Sequence, residues 1–332
     1  MGVIQERLCA LRALMKEQGM DAYLVPTADF HESEYVGEHF KCREYITGFT
    51  GSAGTAVVTM DEACLWVDGR YFVQASHELE GTSVTMMKMG REGVPDVEEY
   101  LEQTLPSKGC LGFDGRVVNA AAGLNLEDVL EDKNVRISYG LDLIGSIWDH
   151  RPELSAKPAW VLAQQYAGKC SEDKIQDVRE AMKKAHASVH VLTSMDDIAW
   201  LLNIRGGDIR HNPVVLSYVV VTMEQLYLFV NAVSYTHLGT LVHDIVFSCQ
   251  DIDPFRKKAL FFIRYCCHIH NIGHAHGPAM QFCSRVTRSV PKYTVKIPRL
   301  ESFYLGHGFG YRFIILFAEL FYKEIHCFLN GL

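Results

Sequence analysis

The 332-residue chain has no apolar run approaching the roughly 18 residues that a membrane span requires. Its best candidate, Phe313 to Tyr322, contains Glu319. A basic start followed by an unbroken apolar stretch is also missing. The first segment is amphipathic, with Val3, Ile4, Leu8, Leu11, Leu14 and Met15 interspersed with Glu6, Arg7 and Arg12, so secretion is not expected. No Cys-x-x-Cys spacing occurs among the ten cysteines, which are expected to be reduced thiols in a cytoplasmic protein. At 48% apolar and 22% charged residues the composition is globular, and the length suits two domains that each bury a core.

Acidic residues thin out along the chain. Residues 234–332 hold 11 Lys and Arg against 6 Asp and Glu, whereas residues 1–233 hold 21 against 34. The larger part is thus strongly acidic, which argues against a nucleic-acid partner; no membrane partner is expected either. The last 99 residues also carry 8 of the 15 His, 5 of the 10 Cys and 11 of the 17 Phe. Such a break marks a different domain or a sequence of different origin.

Up to residue 233 the pattern alternates strands with helices. A helix is expected up to Gly19, a strand at Asp21–Pro26, and paired strands at Ala53–Thr59 and Ala63–Asp68. Further helices are expected at Arg70–Glu78, at Pro95–Leu105 with Pro in the first turn, and at Ala120–Leu130. Strands are expected at Ser83–Met89, Cys110–Asp114 and Val135–Ser138, giving a layered α/β unit whose one hairpin makes the sheet mixed. A linker follows around Arg151-Pro152 and Lys157-Pro158. The second unit repeats this order: a strand at Ala159–Ala163, a long helix capped by Ser171, a strand at Val189–Thr193, a helix capped by Asp196, and a hairpin of Val214–Thr222 with Leu226–Val230. After Val233 neither a period of 2 nor one of 3.6 is sustained.

The glycine cluster Gly48-Phe49-Thr50-Gly51-Ser52-Ala53-Gly54 matches neither a dinucleotide loop nor a nucleophile elbow. Its glycines are spaced i, i+3, i+6, it precedes a strand, and Thr50 stands where an elbow needs Gly. It reads as a tight turn packed against the sheet. Cys266, Cys267, His268, His270, His274, His276 and Cys283 lack a paired ligand spacing and a scaffold for tetrahedral zinc. Glu98-Glu99, Asp196-Asp197 and Asp251/Asp253 read as solvated faces or caps. His211 lies on a loop entering a strand, where binding residues tend to sit.

Tyr45-Ile46-Thr47-Gly48-Phe49-Thr50-Gly51-Ser52-Ala53-Gly54-Thr55-Ala56, followed by Trp66-Val67-Asp68-Gly69-Arg70-Tyr71-Phe72, resembles the first domain of three-domain Xaa-Pro aminopeptidases (aminopeptidase P, peptidase family M24). Collinear matches continue through Ile147-Trp148, Arg151-Pro152, Asp173-Lys174-Ile175, Asp197–Gly206 and His211-Asn212-Pro213-Val214. The resemblance implies two creatinase N-terminal-like (ribonuclease H-like) domains with mixed sheets flanked by helices. The first spans 1–155 and the second, incomplete, spans 156–233. Residues 234–332 are expected to be a divergent tail, artefactual or disordered; Val233–Leu238 resembles translated sequencing-adapter read-through.

In the family a third, pita-bread domain binds two metals, usually Mn or Zn, through two Asp, one His and two Glu. Their bridging water cleaves the bond before a proline. The family's Asp pair is eleven positions apart, yet the partners of Asp244, Asp251 and Asp253 would be Phe255, Phe262 and Arg264. Gly306-His307-Gly308 is similar to the family's His-ligand stretch, but only Glu319 and Glu324 follow it. No catalytic residue, metal ligand or cofactor is therefore expected in this chain. The expectation is the N-terminal part of a Xaa-Pro aminopeptidase, itself inactive. The alternative is a non-catalytic peptide-binding module, as in histone-chaperone subunits with creatinase-like domains. The implied partner of the full-length family is a peptide substrate, with room for a homo-oligomer. Arg70 and His211 are the residues expected to face it.

Overall fold

The computed structural model describes residues 2–231, 234 and 245–248, and the chain divides into two units, 1–155 and 156–332. Each unit is built around its own sheet.

Unit 1 opens with α1 (Val3–Gln18), which stops at Gly19 in the left-handed region (φ 63°), where a residue without a Cβ is favoured. Next come β1 (Ala22–Pro26), α2 (Cys42–Thr47), β2 (Thr55–Thr59), β3 (Ala63–Val67), α3 (Phe72–Glu78) and β4 (Thr85–Lys88). The unit continues with α4 (Val97–Thr104), β5 (Cys110–Phe113), α5 (Ala120–Leu130), β6 (Arg136–Ser138) and α6 (Leu143–Ile147). The sheet order is β4-β3-β2-β1-β5-β6. The β1–β2 and β2–β3 pairs are antiparallel and the other three parallel, so β2 alone runs against the rest.

Alternation along the strands sends side chains to two hydrophobic layers. Tyr23 and Val25 join Val58 and Leu65 under α1, α3 and α6, whereas Ala22 and Leu24 join Trp66 and Leu111 under α4 and α5. The sheet is thus covered on both faces, which is why β1 reads as a continuous apolar run. Tyr23 reaches through the first layer. Its hydroxyl donates to Leu141 O at 2.8 Å and accepts from Leu143 N at 3.1 Å.

The end of unit 1 is fastened by ions. Asp142 caps α6 through Gly145 N, and its carboxylate also takes Arg116 and Arg151. Burial opposes ionisation of Asp142, but the Gly145 amide and the two guanidinium groups outweigh it and hold its carboxyl below the ordinary 3.8.

Unit 2 comprises β7 (Trp160–Val161), α7 (Gln164–Ala167), α8 (Ser171–Lys184), β8 (Val189–Leu192), α9 (Met195–Leu201), β9 (Ile204–Arg205), β10 (Ser217–Thr222), β11 (Leu226–Val230) and β12 (Ile245–Ser248). Its main sheet has the order β12-β11-β10-β8, antiparallel except for the β11–β12 pair; β7 and β9 pair separately. Strand β12 lies beyond residue 233, the point at which the sequence shows no further period.

Three caps differ from expectation. Pro95 does not start α4: Asp96 caps it in a full capping box with Glu99. Cys170 rather than Ser171 caps α8, its sulfur accepting from Asp173 N, and Ser194 rather than Asp196 caps α9. In each case the cap is the residue whose side-chain acceptor reaches the amide three positions on. The Cys/His cluster at 266–283, Asp244, Asp251, Asp253, His307, Glu319 and Glu324 lie outside the described residues.

Candidate functional site

Strands β1, β3 and β5 run in the same direction, so their carboxyl ends, and the turn that enters β2, emerge at one end of the unit 1 sheet. Ligands of open α/β sheets collect at this end.

The glycine turn between α2 and β2 is scaffold. Gly48 ends α2 at φ 79°. A Cβ on Gly51 would lie 2.3 Å from the Phe49 ring, so no larger residue fits without moving it. Arg43, on α2 and nearly fully buried, threads underneath. Its guanidinium donates to Phe49 O and Gly51 O, and its Nε donates to Thr27 Oγ1 at 3.0 Å. Desolvation pushes this Arg down to about 10. The outer side of the turn is held by Glu78 of α3, which accepts from Thr50 N (2.8 Å) and Thr50 Oγ1 (2.7 Å).

Directly after β3 comes Asp68-Gly69-Arg70. Asp68 Oδ1 accepts from Arg70 N and Nε, both at 2.9 Å, and Oδ2 accepts from Arg70 Nη2 at 2.8 Å. These bonds to Arg70 hold the Asp68 carboxyl below its ordinary value and raise the guanidinium above its own. The Arg70 side chain is 71% exposed, with its Cζ 5.2 Å from the Tyr71 ring centroid. Tyr71 in turn meets Ser52 Oγ at 2.6 Å. The side-on edge of the guanidinium is thus occupied by Asp68. Nη1 takes no part in that pair. The geometry gives a fixed, solvent-facing cation.

His211 belongs to unit 2. It is exposed at the tip of a turn closed by Asn212 N donating to Ile209 O at 3.3 Å, and its φ of 63° lies in the left-handed region. Three positions earlier in the chain, buried Asp208 accepts from Leu216 N and Lys157 N.

Two contributors escaped sequence reasoning. Asp68, adjacent to Arg70 in the motif, was legible as an acidic residue two positions away on one loop. Arg43 gave no local signal, because its partners are backbone carbonyls. Among the described residues no group of three or more His, Cys, Asp or Glu is placed to hold a metal ion. Two Mn or Zn ions therefore do not fit the described residues. No helix among those residues is long and apolar enough to cross a membrane.

Residues 7–142 match a family model described as the creatinase/prolidase N-terminal domain, and residues 150–256 match a second model of the same description. Aminopeptidase P2 of Arabidopsis thaliana is 39% identical over 234 residues, covering 69% of this chain and 33% of the relative. Xaa-Pro aminopeptidase 1 of Dictyostelium discoideum is 40% identical over 237 residues, covering 69% and 38%. The chain thus spans little more than a third of the length of these curated relatives. The crystal structure of X-prolyl aminopeptidase from Caenorhabditis elegans, a cytosolic enzyme with a di-nuclear active site, superposes with a TM-score of 0.68 at 32% identity. It covers 74% of this chain and 42% of the nematode enzyme. The chain belongs to the creatinase/prolidase N-terminal-domain family, carries two such domains in tandem, and has Xaa-Pro aminopeptidases as its relatives.

Proposed function

We propose that the chain supplies the substrate-facing N-terminal domains of a Xaa-Pro aminopeptidase, a metallopeptidase that hydrolyses the bond preceding a proline, and is itself inactive. The observation that carries this reading is Arg70: an exposed guanidinium, locked by Asp68, at the ligand-binding end of the sheet and inside the Asp-Gly-Arg-Tyr-Phe segment. Its Nη1 edge donates to a carboxylate or carbonyl of the peptide, and Asp68 keeps it aimed without rotamer search. His211 is a second, subsidiary substrate-facing residue of unit 2. The Mn or Zn chemistry belongs to a domain other than the two described. Like its cytosolic nematode relative, the protein works in the cytoplasm.

The test grafts residues 1–256 onto the catalytic domain of a relative and compares Arg70→Ala with its parent. Because the Asp68–Arg70 pair faces solvent, the variant should melt at the parent temperature while kcat/KM for Xaa-Pro peptides falls about tenfold or more. Unchanged kcat/KM would remove Arg70 from the substrate surface. The ungrafted chain should show no chelator-sensitive turnover with excess Mn; such turnover would overturn its assignment as inactive.

A further inference from the structure

The chain enters the sheet of unit 1 through β1, builds β2, β3 and β4 on one side of it, then crosses back to place β5 and β6 on the other. The point of reversal, between the carboxyl ends of β1 and β5, is where an open sheet leaves a crevice. A cavity of about 430 Å³ lies there, within the size range of small-molecule sites. Leu24, Pro26, Val118 and Leu126 give it an apolar floor and wall.

Its polar side is unbalanced. Thr27 is engaged with Gly54 O and Arg43, and Asn119 Oδ1 caps α5 through Ala122 N. That leaves the hydroxyls of Ser33 and Thr55 and two carboxylates, Glu32 and Glu98, the latter accepting from Asn125 Nδ2 at 3.5 Å; no Lys, Arg or His lines the cavity among the described residues. Glu32 Oε2 is buried without a hydrogen-bond partner. The residue is also held at φ 56°, a conformation that non-glycine residues seldom adopt. The brace is Asp29, fully buried, whose Oδ1 accepts from His31 N at 2.8 Å and Ser33 N at 3.0 Å on either side of Glu32. A strained backbone carrying an orphan acceptor at a cavity wall is the arrangement expected of a binding group. The first turns of α4 and α5 also border the cavity, and helix starts favour anions, but each contributes only about half a positive charge against two full negative ones. Both starts are moreover already capped.

We propose that this crevice binds a small organic cation: a primary ammonium or guanidinium that donates to Glu32, carried on an apolar stem that fills the floor. The site is independent of Arg70 and of the peptidase reading. Two sources share this chemistry, a free amine and the basic side chain of a peptide.

The test titrates the full chain with n-butylammonium, using 1-butanol as the uncharged control. Saturable binding at millimolar concentration is expected for the cation only. Glu32→Gln, nearly isosteric, and Ala122→Leu, which fills the cavity from α5, should each weaken it about tenfold. Arg70→Ala should leave it unchanged. No saturable binding, equal binding of 1-butanol, or unchanged affinity in Glu32→Gln would overturn the proposal. A blocked lysyl peptide that displaces n-butylammonium assigns the crevice to basic side chains; one that does not assigns it to free amines.

Discussion

The two units share a four-strand core. In unit 1 the run β1-β2-β3-β4 pairs antiparallel, antiparallel, parallel; in unit 2 the run β8-β10-β11-β12 does the same. Helices occupy equivalent places: α1 and α8 precede the first strand, and α2 and α9 sit between the first and second. The difference lies beside the first strand. Unit 1 adds β5 and β6 there, which creates a point of reversal and a cavity, whereas among the described residues β8 has no neighbour on that side. In unit 1 the shared four-strand scaffold thus gains a crevice through an addition at one edge. Each unit also buries a cation against carbonyl oxygens: Arg43 bonds Phe49 O and Gly51 O, and Lys174 bonds Trp200 O and Asn203 Oδ1.

The strongest way to break the comparison is Arg43→Met. It leaves two turn carbonyls and Thr27 without their donor in a buried setting and should cost unit 1 about 3 kcal/mol. Hydrogen exchange should show loss of protection in β1 and β2 and none in β10 and β11; equal losses in both units would mean that the units do not unfold separately.

A smaller effect separates them by pH. The folded-state carboxyl of Asp142 titrates below its ordinary value of 3.8, so its contribution is fully present above that value. It is lost as pH falls through the lower, folded value. Asp142→Asn should destabilise unit 1 near neutrality and flatten the acid limb of its melting curve, leaving unit 2 unaffected. An acid limb of undiminished slope in the variant would assign it to other groups.

The smallest effect is expected at the tip of the Ile209–Asn212 turn. His211→Gly relieves a left-handed conformation but frees the unfolded chain, and the two nearly cancel, to within about 0.5 kcal/mol. A loss above ~1 kcal/mol in a urea melt would show that the imidazole has a packing role.

How much was legible follows from length and locality. The strands β1, β2, β3, β10 and β11 announce themselves as apolar runs, and α1 and α8 by their period and ends. Helix α2, only six residues long, is too short to show a period, and the two-residue strands β7 and β9 are defined by their pairing alone. Strand β12 is four residues in a stretch without pattern, and its place depends on β11. Arg70 was visible because its motif is contiguous. The crevice was not, since it exists only once β5 is known to cross to the far side of β1. Nothing in the sequence separates Glu32 from the neighbouring Asp29, Glu34 and Glu38; only the sheet order puts it at a wall.

Tyr23 shows what the strand order implies for the timing of folding. The β2–β3 hairpin closes over three residues, whereas the Tyr23 hydroxyl meets Leu141 across 118 positions of sequence. Contacts of such different span form at different rates, near ones first. On a chain leaving the ribosome, β1 to β4 can assemble while β5 and β6 are still being made. The crevice beside β1 then comes into being with the last strands to dock. An amine that fits it would bind the finished domain alone, and would hold the late strands in place by mass action.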